Sequence, residues 1–264
     1  MSASTMSSDR LFDLRGQVAL VTGGSSGLGL AIVEAMAGHG ASVVVAGLDA
    51  PGCEAVAQRL RQSGHRALGL GCDLSRRDQV AALCDAALKH FGRVDALVCN
   101  AGVQGPAGPL GAVSDPDWEQ VMDVNLRSAW WLTSELVPGM AARGGGSVIL
   151  MASIAALRGN RAIGLYGLSK AGVAQLARNL AVEWGPHGVR ANAIAPGLIR
   201  TPLSQELMAD DAFMSRRLGA TPLRRVGEPH EVAAVAVMLA GRGGAFITGQ
   251  TLVVDGGTVI GDGS

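Results

Sequence analysis

Gln17-Val-Ala-Leu-Val-Thr22 runs without a break into Gly23-Gly-Ser-Ser-Gly-Leu-Gly29, and a helical pattern begins at Leu28. Glycines let the backbone turn sharply after an apolar strand. The helix that follows then aims its free N–H groups and positive dipole end at the turn, where a pyrophosphate fits. The glycine spacing differs from G-x-G-x-x-G, so a plain strand–helix turn is an alternative reading of this stretch alone. Gly23-x-Ser25-x-Gly27 also matches the nucleophile elbow of α/β-hydrolases. An elbow needs several strands before it and a later acid and histidine, whereas this turn follows the first strand. No Gly-Lys-Ser/Thr comes next, which removes a P-loop.

Outward from that turn, apolar runs rich in β-branched residues alternate with longer helical patterns. The predicted strands are Gln17–Thr22, Ser42–Gly47, Arg66–Gly71, Ala96–Asn100, Ser147–Met151, Val189–Ala195 and Thr251–Val254. Between them Leu28–His39, Pro51–Ser63, Ser75–Phe91, Asp115–Ala141, Leu165–Trp184 and Glu228–Ala240 carry helix-like spacing. Near-continuous apolar strands alternating with helices predict an α/β, doubly wound parallel sheet of about seven strands, with helices on both faces. Ser75 and Ser114 are expected to cap their helices, and Pro51 and Pro116 suit first-turn positions. No composition break marks a linker, so residues 11–264 read as a single domain behind a Ser-rich, disordered tail at 1–10. Thr201–Pro222 fits no layer; inserted after the sixth strand, it is a candidate substrate lid.

Hydrophobic residues make up 48% of the 264, enough for a sizeable core. Lys+Arg and Asp+Glu both total 22, and zero formal charge argues against nucleic-acid or anionic-membrane partners. Cys53, Cys72, Cys84 and Cys99 include no C-x-x-C pair and read as buried free thiols in a reducing compartment. The first ten residues lack an apolar signal-peptide core, and the uncharged stretch Ala96–Ser114 is broken by glycine and proline, so a cytoplasmic protein is expected. The five histidines are scattered and no metal site is expected.

The single tyrosine, Tyr166, stands four residues before Lys170, one of two lysines, inside a predicted helix. Residues at i and i+4 share a helix face, so hydroxyl and ammonium can act on one substrate. Reduction of a carbonyl needs an acid for the forming alkoxide, and oxidation of an alcohol needs a base. A free tyrosine has a pKa near 10, and a nearby ammonium favours its phenolate; a shift of about three units corresponds to about 4 kcal/mol. Ser153, thirteen residues before the tyrosine and just past the fifth strand, is placed to hold the carbonyl oxygen.

Thr22-Gly-Gly-Ser-Ser-Gly-Leu-Gly29, Asn100-Ala-Gly102, Asn125, Ser153, Tyr166-Gly-Leu-Ser-Lys170 and Pro196-Gly197 together resemble the short-chain dehydrogenase/reductase family, from about Leu14 to about Gly257. The resemblance implies a Rossmann-like catalytic domain that moves a hydride between a nicotinamide cofactor and a carbonyl or secondary alcohol. It implies Tyr166 as general acid/base, Lys170 as its pKa tuner and ribose ligand, Ser153 as carbonyl holder, and Asn125 in a water-mediated relay to Lys170. Gly23, Ser25, Ser26, Gly27, Leu28 and Gly29 would cradle the cofactor. Leu48, Asp49, Asp73 and Leu74 would meet its adenosine half, with Asp73 at the adenine ring or, alternatively, a helix cap. Asn100, Ala101 and Gly102 would line the cleft or simply shape a strand end. Pro196, Gly197, Ile199 and Thr201 would reach the nicotinamide end.

On cofactor choice the chain departs from both family patterns. Gly47 stands where NAD users place an acid, and no lysine or arginine occurs in the glycine turn or from Ala31 to Gln58. The nearest charge is Asp49, so NAD(H) is favoured over NADP(H). The resemblance also implies a homotetramer. A non-catalytic dinucleotide sensor or scaffold is the alternative; its mark would be a lost Tyr, Lys or Ser, and all three are present. Arg216-Arg217 and Arg224-Arg225 read as solvated faces. Val103–Gly105, Ile154–Arg161, Leu198 and Leu203–Leu218 are candidate pocket segments: their apolar mix suits an apolar substrate, while Arg158 and Arg161 leave room for an acidic one.

Overall fold

Alternate residues of the first strand feed two different cores: Val18 and Leu20 pack into one, Ala19 and Val21 into the other. Successive side chains of a strand point to opposite faces, so a strand apolar at every position needs a layer on each side. The computed structural model, which describes residues 10–261, supplies both layers. Strands β1 (Val18–Thr22), β2 (Ser42–Gly47), β3 (Ala67–Gly71), β4 (Ala96–Cys99), β5 (Gly146–Met151), β6 (Val189–Pro196) and β7 (Thr251–Val254) form one parallel sheet in the order β3-β2-β1-β4-β5-β6-β7. Of the tail expected at 1–10, residues 1–9 lie outside the described residues.

One face is covered by α3 (Arg77–Phe91), α5 (Ser128–Ala142) and α6 (Gly164–Trp184), which pack Leu83, Leu132, Met140 and Val173 against Leu97, Val148 and Leu150. The other face is covered by α1 (Gly27–Gly38), α2 (Ala50–Gln62) and α9 (Pro229–Ala240), through Ile32, Met36, Val56 and Val237 against Val43, Val98 and Ile149. Burying each such Leu, Ile or Val stabilises by about 1.5–3 kcal/mol. Leu20, Leu97, Ile149 and Leu150 are at 0% exposure, so both layers are sealed at the centre of the sheet.

Two local expectations are corrected. Ser75 does not cap α3: the N-cap is Arg76, without a side-chain cap bond, because the Ser75 hydroxyl turns back to donate to Asp73 at 2.7 Å. Asp115–Ala141 is not one helix but α4 (Asp115–Met122), a π-helical turn (Asp123–Arg127) and then α5. Ser114 does cap α4, accepting from Asp117 N at 3.3 Å. The segment after β6 is helical in pieces: a 3₁₀ turn at Pro202–Ser204, then α7 (Gln205–Met208) and α8 (Asp211–Gly219).

Candidate active site

Strand order reverses between β1 and β4, and an open α/β sheet binds ligands at such a switch point, beyond the carboxyl ends of its strands. Every residue singled out for the site lies at one of those ends or follows it. In the glycine turn Gly23 has φ +64°, and a Cβ there would stand 2.9 Å from Asn100 Nδ2 and 3.0 Å from Ala101 Cα, so only glycine fits. The turn is cross-linked to the end of β4. Thr22 Oγ1 accepts from Asn100 N at 3.0 Å and Ala101 N at 3.1 Å, while Asn100 Nδ2 donates to Thr22 O at 2.9 Å. Asn100 and Ala101 therefore shape the strand ends that frame the cleft. Thr22 was quoted in the motif without a role; its function is visible only when β1 and β4 are side by side.

Ser26 caps α1 in extended conformation, its side chain bonds no helix N–H, and the first turn carries no acid. Leu28 and Gly29 open that helix, so their end of it offers unpaired N–H donors, the donor set a dinucleotide pyrophosphate requires. Ser25 stands against Cys53, whose thiol is raised by burial and pulled down by the serine hydroxyl. After β2, Leu48 is exposed and Asp49 accepts from Gly52 N at 3.0 Å, capping α2. After β3, Asp73 Oδ1 accepts from both Ser75 N (3.0 Å) and Ser75 Oγ (2.7 Å), which leaves Oδ2 unengaged, and Leu74 is buried.

On α6, Tyr166 and Lys170 share a face, with Lys170 Nζ 5.5 Å from the tyrosine ring centroid. The ammonium is buried and donates to Met151 O at 2.8 Å; burial pushes its pKa down to about 8. Its other two N–H donors form no hydrogen bond among the described residues. Tyr166 is shifted upward by burial, and the neighbouring Ser153 hydroxyl pulls it the other way. This differs from the depression expected of a lysine neighbour, because desolvation of the phenolate outweighs the Ser153 hydrogen bond that favours it. Ser153 leads the 3₁₀ turn Ile154–Ala156, its Oγ accepting from Ala155 N at 3.1 Å.

Asn125 sits in the π-helical turn, buried. Its Nδ2 donates to Val103 O and Ser169 Oγ, both at 2.9 Å, and its Oδ1 accepts from Val103 N at 2.8 Å. One amide hydrogen and the amide oxygen thus hold the segment after Gly102, and the second hydrogen ties the π-helical turn to Ser169 on α6. A Cβ at Gly102 would stand 3.1 Å from Asn125 Oδ1 and 3.2 Å from Lys170 Nζ, so that backbone lies directly over the lysine. After β6, which ends at Pro196, Gly197 N donates to Val254 O at 2.9 Å. Ile199 is buried, and Thr201 and Ser204 form a capping box on the following turn. Arg217 is not the solvated residue expected: its Nε is buried.

A family model of the short-chain dehydrogenase type, described as enoyl-(acyl carrier protein) reductase, matches residues 23–259. The chain belongs to the short-chain dehydrogenase/reductase family. It is thus an NAD(P)-dependent oxidoreductase acting on alcohol or carbonyl substrates. Among similar members, the cis-4-hydroxycyclohexanecarboxylate dehydrogenase of Sinomonas cyclohexanicum is 39% identical over 242 residues, covering 91% of this chain and 96% of that one. A 7α-hydroxysteroid dehydrogenase complexed with NADH and 7-oxo glycochenodeoxycholic acid superposes with TM-score 0.91 at 34% identity, covering 96% and 97% of the two chains. A gluconate 5-dehydrogenase from Burkholderia cenocepacia J2315, in complex with NADP and tartrate, gives 0.92 at 33%, covering 96% and 99%. Among the described residues no helix of this dehydrogenase/reductase is long and apolar enough to cross a membrane.

Proposed function

We propose that Tyr166 exchanges the proton with the reacting oxygen of a ketone or secondary alcohol, that Ser153 holds that oxygen, and that Lys170 binds the cofactor ribose and supports the charge left on Tyr166. A nicotinamide bound beyond the strand ends supplies or accepts the hydride. The observation that carries this reading is the buried Lys170 ammonium: it has one protein acceptor, Met151 O, and two N–H donors to spare beside Tyr166. In reduction, a tyrosine whose pKa is raised stays protonated at neutral pH and gives its proton to the forming alkoxide. In oxidation the same oxygen receives the proton, and the cation 5.5 Å from the ring centroid favours the phenolate that precedes it.

Asn125 we assign to holding Val103 and Ser169 with its amide and, through an acceptor oxygen, to a water-mediated relay to Lys170. The glycine turn Gly23–Gly29 and Asp49, Asp73, Asn100–Gly102 and Pro196–Thr201 would hold the cofactor along the cleft. NAD(H) is favoured over NADP(H), because Asp49 is the charge that follows β2 and no cation stands near it in sequence. Thr201–Pro222 is assigned as the substrate lid: a Cβ at Gly27 would stand 3.5 Å from both Thr201 Cβ and Pro202 Cδ, so the segment begins over the pyrophosphate turn.

Exposed apolar side chains on α5 and α6 (Trp130, Val182) and around β7 (Phe246, Val253) support a homotetramer with paired symmetric interfaces. A monomer in light scattering at micromolar concentration would contradict that assembly. Four buried free thiols, with Cys72 and Cys84 pushed up to about 11 and about 12 by burial, suit the cytoplasm. The catalytic assignment is tested on a panel of ketones followed at the NADH absorbance band. Ser153→Ala should lose turnover by ~10²-fold or more while binding NADH normally, and wild-type turnover in that variant would defeat the assignment.

A further inference from the structure

Arg217 lies on α8, and its Nε is buried with no hydrogen-bond partner among the described residues. Eight arginines form ion pairs among the described residues, as in Arg59–Glu34, Arg93–Asp95 and Arg225–Glu231. The charges that act on Arg217 are those of Arg158, which repels it, and Asp255, which attracts it. Asp255 is already engaged, Oδ1 accepting from Gly257 N at 2.8 Å and Oδ2 from Val259 N at 2.7 Å. Arg158 is exposed, and neither it nor Arg217 forms an ion pair among the described residues. Desolvated groups held beside like charge concentrate at functional sites.

The two arginines come from the two segments that flank the reacting centre. Arg158 stands five residues after Ser153 on the loop leading to Tyr166, and Arg217 is on the second helix of the Thr201–Pro222 insertion. Both follow strands on the β5–β6–β7 side of the sheet. The end of β2, where an adenosine ribose and any 2′-phosphate would lie, is three strands from β5, roughly 14 Å at the usual strand spacing. An anion between these arginines is therefore not the 2′-phosphate of the cofactor. We propose that Arg217 and Arg158 form a carboxylate-binding subsite for the end of the substrate remote from its reacting carbon. A guanidinium presents paired N–H donors in a planar fork that matches the two oxygens of a carboxylate, and the Arg217 guanidinium gives no hydrogen bond among the described residues. Binding an anion there also relieves the repulsion between the two cations.

The proposal rests on the reading of Ser153 and Tyr166 as the reacting centre, and two measurements keep their failures apart. In calorimetric titration of the NADH-loaded protein, cyclohexanecarboxylate should bind at least tenfold more tightly than cyclohexanecarboxamide. Arg217→Met should abolish that preference without weakening the amide, and Arg158→Gln should reduce it. In turnover, 4-oxocyclohexanecarboxylate and 5-oxohexanoate are compared with their methyl esters. Arg217→Met should lower kcat/KM for the acids at least tenfold more than for the esters, chiefly through KM. Equal binding of acid and amide by the wild type, or an unchanged preference in Arg217→Met, overturns the subsite whatever the turnover shows. Carboxylate binding that depends on Arg217, in a protein that reduces none of the four ketones, would instead overturn the reading of the reacting centre.

Discussion

Lys170 Nζ stands 5.5 Å from the centroid of the Tyr166 ring and gives its one protein hydrogen bond to Met151 O, away from the tyrosine. Its charge is buried without a counter-ion, which lowers its pKa from 10.5 to about 8. The unfolded chain therefore holds this proton more tightly than the folded one. The cofactor-free protein should gain stability as pH climbs from about 8 towards 10.5, by up to roughly 3 kcal/mol for a shift of this size. Below pH 8 the full penalty applies. Denaturant midpoints across that range should rise for the wild type, and the Lys170 contribution should be missing in Lys170→Met. Parallel curves for the two proteins would show that the ammonium is not under strain.

Gly23 is the tightest point of the cofactor turn. Gly23→Ala places a methyl group 2.9 Å from Asn100 Nδ2 at a φ of +64°, a conformation that costs a non-glycine residue about 1–2 kcal/mol before any clash. The Thr22–Asn100 cross-link must then yield. NADH affinity, measured by fluorescence titration, should fall at least tenfold, with a lowered melting temperature. Unchanged affinity would place the cofactor elsewhere.

Cofactor choice turns on Gly47 and Asp49. A 2′-phosphate beyond β2 would meet one carboxylate and no cation, which at about 4–6 Å opposes binding by roughly 1 kcal/mol or more. The expected result is a severalfold or greater preference for NADH in kcat/KM on one ketone. Gly47→Asp, whose Cβ would stand 3.2 Å from Cys53 Sγ, should widen it. A tenfold wild-type preference for NADPH would reverse the assignment.

The strands were legible because burial on both faces writes itself as uninterrupted apolar runs: Val18–Thr22 and Ser42–Gly47 are buried throughout. Tyr166 and Lys170 were legible because i, i+4 spacing is a local fact of a helix. Periodicity did not disclose the π-helical turn at Asp123–Arg127, which carries Asn125, whose side-chain partners are Val103, 22 residues away, and Ser169, 44 residues away. Distant partners also hid the role of Thr22, and the burial of Arg217 Nε leaves no mark in the sequence. The cap of α3 was misread because the Ser75 hydroxyl has a competing acceptor in Asp73, two residues back. The upward shift of Tyr166 escaped for a similar reason: a neighbouring lysine shows in sequence, but the depth of burial does not.

The central claim is that Tyr166 Oη moves the proton. Tyr166→Phe keeps the ring and its packing on α6 and removes only that oxygen. Single-turnover reduction of one ketone by the NADH-loaded protein should slow by at least 10²–10⁴-fold in the variant, with NADH affinity unchanged. A Tyr166→Phe protein that reduces the ketone at the wild-type rate would contradict the mechanism.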